Sequence, residues 1–150
     1  MKYINTDNSF KIYLFYPIDR NNEVNFYRAL KTYSNIGTEI QAYLIDWEKM
    51  DGLPKSFLYV PADYEPFVHT AYSKKLLTQE QITTINCDII KSCDLLILFG
   101  IYQIQPTIQN IEEIKCARES QIPIYSMSDL NPMAIDALKL AIKLIIKARD

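Results

Sequence analysis

Apolar and polar positions along this chain fall into blocks whose period switches between that of a strand and that of a helix. Residues 11–16 (KIYLFY) form a short β-prone apolar run that Pro17 ends, and residues 19–22 read as a loop. The spacing predicts a helix over 23–36, capped by Asn22, with Tyr27, Leu30 and Ser34 on one face and Gly37 as its left-handed stop. Residues 39–46 (EIQAYLID) read as a second strand. An irregular stretch follows at about 50–77, carrying Gly52, Pro54, Pro61 and Pro66. A stretch of that length is either functional or holds short elements of its own. Thr78 opens another helix: Gln81 completes a capping box, and Ile82, Ile85 and Ile89 form the apolar stripe. Residues 94–99 (DLLILF) are apolar after the first position, as expected of a central parallel strand covered on both faces. After a loop, Thr107 caps a helix to about Ser120, with Ile108, Ile111 and Ile114 facing inward. Residues 122–127 (IPIYSM) read as a strand, and Asn131-Pro132 signals a last helix with Ile135, Leu138, Ile142 and Ile145 inside.

Strands alternating with helices imply a parallel sheet, right-handed crossovers and helices on both faces. The expected fold is an α/β, flavodoxin/Rossmann-like three-layer sandwich over residues 1–150 as a single domain. Its sheet has four or five parallel strands in the order 2-1-3-4(-5). Ligands in such sheets bind beyond the carboxyl ends of the strands, where the strand order reverses.

Composition narrows the chemistry. Only three glycines occur, Gly37, Gly52 and Gly100, too far apart for a glycine-rich phosphate loop or a GxGxxG turn. One histidine excludes any mechanism needing two imidazoles, and no metal or cofactor is expected. Cys87, Cys93 and Cys116 lack CxxC spacing and are expected to be free thiols in a reducing cytoplasm, with Cys87 and Cys93 acting as small buried hydrophobes. The net charge is −2 with scattered basic residues, which argues against a nucleic-acid partner. No apolar run approaches the ~20 residues of a membrane span, and the first residues, MKYINTDNSFK, are too polar for a signal peptide.

Four groups of residues could carry chemistry. Glu113, in the first half of a helix, is favoured there by the helix dipole and could attack an electrophilic carbon; Glu112 and Glu113 could equally be solvated. Tyr13 and Tyr16, on the first strand, could hydrogen-bond or stack on a ligand, or pack in the core with satisfied hydroxyls. Asp46, at the end of the expected second strand, lies where ligands bind or caps the next segment. His69 sits in an aromatic stretch with Tyr59, Tyr64, Phe67 and Tyr72, either as part of a lid over a flat heterocycle or in a structural role.

Three segments taken in order, KIYLFYPID, NCDIIKSCDLLILFG and EIKCARESQIPIY, resemble the nucleoside 2-deoxyribosyltransferase-like superfamily over about residues 11–126. The resemblance implies cleavage of the N-glycosidic bond of a deoxynucleoside or deoxynucleotide. The family's E-x-x-x-A glutamate, the nucleophile that attacks C1′, falls on Glu113, with Ala117 four residues later. The first-strand tyrosine that touches the nucleophile or the sugar falls on Tyr13, and a base-associated polar residue falls on Asn86. Thr107 stands where the family has an Asp or Ser at the 5′ end, and Gln109 or Asn110 where it has glycine. The expected substrate-binding residues are therefore Tyr16, Asp46, His69, Asn86, Thr107 and Asn110. The expected partner is a small nucleoside or nucleotide, in a cytoplasmic homo-oligomer that binds neither nucleic acid nor membrane. The alternative is a catalytically inactive nucleotide-binding domain, a sensor or sequestering module, on the same fold. A receiver-type interaction domain fits poorly, because the third expected strand ends in Phe99-Gly100 rather than an acceptor aspartate.

Overall fold

The computed structural model describes residues 9–18, 23–100 and 108–149, without the side chains of residues 23, 24 and 108–110. Four strands form one all-parallel sheet: β1 (Phe10–Phe15), β2 (Ser56–Tyr59), β3 (Leu95–Phe99) and β4 (Ile124–Met127). Their order is β2-β1-β3-β4, the flavodoxin/Rossmann-like order expected from the alternation of elements. The register pairs Tyr13 with Tyr59 on one side and with Leu96 on the other. The helices are α1 (Glu23–Met50), α2 (Glu65–Ser73), α3 (Gln79–Lys91), α4 (Ile108–Glu119) and α5 (Pro132–Arg149), with a 3-10 turn at Pro61–Tyr64.

Side-chain alternation along the central strands divides the core in two. Ile12 and Leu14 of β1, with Leu95, Ile97 and Phe99 of β3, pack under α1 and α5. Tyr13, Phe15, Leu96 and Leu98 face the other way, against Ile90 of α3 and Ile114 and Ala117 of α4. All of β1 and β3 is buried, so their continuous apolar character is that of strands covered on both faces. At the entry edge of the sheet, Asp94 accepts the Lys11 N–H at 2.8 Å and pairs with Arg149 at 2.7 Å. Among the described residues no helix is long and apolar enough to cross a membrane.

The first half of the chain departs from the sequence reading. Residues 39–46 are not a strand but the second half of α1, which runs unbroken through Gly37. Its buried residues Tyr33, Ile36, Ile40, Leu44 and Trp47 recur every three or four positions, the spacing of one helical face. Tyr27 points outward at 56% exposure, and Phe26 takes the inward place. Gly37 is not a stop but a point of close approach: a Cβ there would lie 2.9 Å from Val60 Cγ2. The left-handed glycine that follows the helix is Gly52, with φ +66°.

The strand beside β1 is instead Ser56–Tyr59, inside the stretch that reads as irregular; that stretch also supplies the 3-10 turn and α2. The capping box of α3 forms as expected, with Gln81 N–H donating to Thr78 Oγ1 at 3.0 Å and Thr78 N–H donating to Gln81 Oε1 at 2.9 Å. Asn131 caps α5 by accepting the Ala134 N–H at 2.8 Å. The Asn22 cap, the 19–22 loop and Thr107 lie outside the described residues.

Candidate active site

In a sheet of order 2-1-3-4 the strand order reverses between β1 and β3. After β1 the chain passes into α1 on one face, and after β3 into α4 on the other. The candidate site is built around this point.

Glu113 lies in the second turn of α4 and is only 6% exposed, so the solvated alternative for it does not hold. The helix is rolled so that Glu113, Ile114 and Ala117 face inward, while Ile111, expected inside, is 55% exposed. Of the expected inward residues, Ile114 is buried, Ile111 is not, and the Ile108 side chain lies outside the described residues. Asn86, half-buried on the adjacent α3, donates its side-chain amide to Glu113 Oε1 at 3.0 Å. This bond fixes one carboxylate oxygen and joins two helices through residues 27 positions apart.

Tyr13 lies on the same face of the sheet and is 1% exposed. Burial, and then the nearby charge of Glu113, hold its phenol pKa well above the usual 10.0. Its ring stacks on Tyr59 at 5.5 Å, and Tyr59 stacks on Tyr64 at 5.2 Å. The structure thus brings together Glu113, Asn86 and Tyr13, the three residues singled out by the resemblance for nucleophile, base and first-strand positions.

Two further residues of the cluster were not legible in the sequence. Tyr33 of α1 donates its hydroxyl to the Leu14 carbonyl near the end of β1. Burial first, then Glu113 and Glu65, raise its pKa well above the ordinary value. Glu65, the first residue of α2, is 2% exposed, so a second carboxylate is buried near the same phenol. The only signal for either was chemical: a carboxylate just before Pro66, and a tyrosine at a position that is inward only once α1 is read as continuous.

The other expected site residues are distributed differently. Tyr16 is buried on the opposite face from Tyr13, with its ring 5.4 Å from Tyr33 and 6.4 Å from Phe99. Asp46 is exposed near the end of α1. Because α1 runs antiparallel to the strands it connects, Asp46 belongs to the entry edge of the sheet, away from Glu113. Its assignment as a strand-end ligand residue fails with the strand that carried it. His69 lies on α2 rather than in a loop and stacks on Phe26 at 4.5 Å. Its Nδ1 is buried without a hydrogen-bond partner among the described residues. The side chains of Thr107 and Asn110 lie outside the described residues.

The cysteines also differ from expectation. Cys87 of α3 and Cys116 of α4 are joined as a disulfide with a Cα–Cα distance of 5.8 Å, and only Cys93 is free. A 29-residue separation hides such a pair from any CxxC-type reading. No family model, curated protein or solved structure matches the chain.

Proposed function

We propose that this chain cleaves the N-glycosidic bond of nucleosides or nucleotides through a covalent glycosyl intermediate on Glu113. The observation that carries the reading is the buried Glu113 carboxylate, oriented by Asn86 and set beside Tyr13 at the switch point of the sheet. Glycosidic cleavage passes through an oxocarbenium-like transition state, which a fixed carboxylate stabilises and then captures at C1′. In the first step a Glu113 oxygen bonds to C1′ as the C1′–N bond breaks. The bonding pair leaves with the base, which takes a proton from solvent. In the second, water or another base attacks C1′ and the ester bonding pair returns to Glu113. Tyr13, a neutral phenol whose pKa is raised further by burial and by Glu113, serves as a hydrogen-bond donor to the carboxylate or the sugar. The ligand in this reading is a small nucleoside or nucleotide.

The test is chromatographic detection of free base after incubation with a panel of 2′-deoxynucleosides and deoxynucleotides. Glu113→Ala should lower the rate at least about 100-fold, the scale of losing one transition-state stabiliser. No release by the wild type, or equal release by the variant, would sink the proposal.

One observation favours a second reading, nucleotide binding without turnover. Asn86 is an amide and has no acidic proton to give a departing base. A stabilising ligand at 100-fold its Kd shifts unfolding by about 2.7 kcal/mol. That shift without base release would select the binding module.

A further inference from the structure

Two cross-links join α3 to α4. One is the hydrogen bond from Asn86 to Glu113; the other is the bond between Cys87 and Cys116. Cys87 follows Asn86 directly, and Cys116 lies three residues, just under one helical turn, after Glu113. These links sit beside an apolar contact in which Ile114 and Ala117 pack with Ile90 of α3 and Leu96 and Leu98 of β3. From Ile111 to Glu119 its only buried residues are Glu113, Ile114 and Ala117, and the largest apolar side chain of its exposed face, Ile111, points outward. Both bonded cysteines are half-buried, within reach of small thiols. The third cysteine does not compete with them. Cys93 is buried, its thiol donates to the Ile89 carbonyl at 3.3 Å, and burial pushes its pKa up to about 12.

We propose that Cys87 and Cys116 are a reversible thiol–disulfide switch that clamps α4 onto α3 and so sets whether Asn86 holds Glu113 in place. Opening uses a small dithiol. One of its thiolates attacks a sulfur of the pair, giving a mixed disulfide and one free cysteine thiolate. The second thiolate then displaces the other cysteine, leaving two thiols on the protein and an oxidised, cyclic co-reactant. Closing runs through a small disulfide of the glutathione type. A cysteine thiolate attacks it, and the second cysteine resolves the mixed species, releasing two small thiols. Two electrons and two protons are exchanged each way. In the closed state the geometry around Glu113 is that described above; in the open state the described part of α4, from Ile111 onward, is held by the buried apolar residues Ile114 and Ala117 without the covalent link. As regulation of catalysis the switch rests on the proposed function of Glu113; as a reversible clamp on α4 it does not.

The experiment uses the full chain equilibrated with dithiothreitol or with a graded reduced and oxidised glutathione couple. Alkylation with mass detection counts the free thiols, and backbone hydrogen exchange reports on α4. Along the couple the count should move from one free thiol to three. On reduction the amides of 113–117 should exchange at least about tenfold faster, while those of β1 and β3 stay slow. Cys116→Ala should exchange in oxidant as the reduced wild type does, and Cys93→Ala should behave as the wild type. A thiol count that does not change across the couple, or exchange at 113–117 that is equal in both states, overturns the switch. Base release measured on the same samples separates the two ideas. A change in exchange with no base release in either state leaves the clamp standing and removes the catalytic reading; base release unaffected by a tenfold change in exchange removes the regulatory role.

Discussion

Substituting alanine at Gly37 tests the packing of α1 in a way that isolates a single contact. Inside a helix, Gly→Ala is worth about 1 kcal/mol in favour of folding, because alanine loses less backbone entropy. At Gly37 the new Cβ would meet Val60 Cγ2 at 2.9 Å and Cγ1 at 3.1 Å. Val60 is buried and branched at Cβ, so turning one methyl away brings the other in. The helix or the β2 connection must shift, at the cost of about 1–3 kcal/mol typical of overpacking. The net effect in the wild-type background is a loss of about 1 kcal/mol. Val60→Ala removes two methyl groups and alone costs about 2 kcal/mol, from about 0.8 kcal/mol per buried methylene plus some cavity. With Val60 shortened the clash is gone, and Gly37→Ala becomes stabilising by about 1 kcal/mol. The sign of one substitution therefore reverses between two backgrounds, a coupling of about 2 kcal/mol. Urea unfolding reads this directly, with the single, buried Trp47 of the same helix as the fluorescent probe and equal m values as the control. Additive effects would refute the close approach. Destabilisation in both backgrounds is what a left-handed helix stop at Gly37 would give.

Tyr13 and Tyr33 have phenol pKa values raised well above 10.0 by burial and by the carboxylates near them. The unfolded chain therefore loses these protons first. Their contribution to stability is complete below pH 10 and falls as pH rises beyond it; unfolding free energy measured against pH should drop less steeply in Tyr13→Phe/Tyr33→Phe. Cys87–Cys116 closes a loop with a separation of 29 residues, so reducing it should cost about 3–4 kcal/mol on the chain-entropy scale, read as a lower thermal midpoint in dithiothreitol that Cys87→Ser matches without reductant. Glu113→Gln keeps an acceptor for Asn86 while removing a buried charge; chemical unfolding should find it more stable by about 1 kcal/mol even as base release is lost.

How far the fold could be read from the sequence depended on how much ambiguity each segment carried. The Leu95–Phe99 run has no polar residue, the Thr78–Gln81 box has both its partners, and Asn131-Pro132 is an unmistakable start; each of these elements lies where the pattern put it. The segment EIQAYLID satisfied two periods at once. Ile40, Ala42 and Leu44 alternate as in a strand, while Ile40, Leu44 and Trp47 share a helical face. In sequence Gly37 points to a break, because a glycine needed for close approach looks the same there as one needed for its left-handed conformation. The true β2 is four residues long with Leu58 as its one buried side chain, too short for any periodicity to show. The strand order agrees with expectation despite this misplacement because the segment 56–59 takes the place beside β1 that the order assigns to a second strand, so the order does not depend on which segment forms it.

The site was legible only in part for a different reason. Hydrophobic periodicity marks the faces that exclude water, and a buried polar cluster appears in it as a fault. Read by period, α4 turns Ile111 inward and leaves Glu113 in solvent; in the structure the reverse holds. The amide that donates to Glu113 comes from elsewhere in the chain, from Asn86 on α3, and the phenols within its electrostatic reach are Tyr13 on β1 and Tyr33 on α1. No local window contains that information. Burying an ion costs several kcal/mol even after relaxation, and filling the same space with apolar side chains is often neutral or better. Glu113 and Glu65 nonetheless both lie in the electrostatic reach of one tyrosine, at the edge of the sheet where this architecture receives ligands. Stability alone gives no reason to concentrate carboxylates there, whereas the chemistry proposed for Glu113 requires one of them.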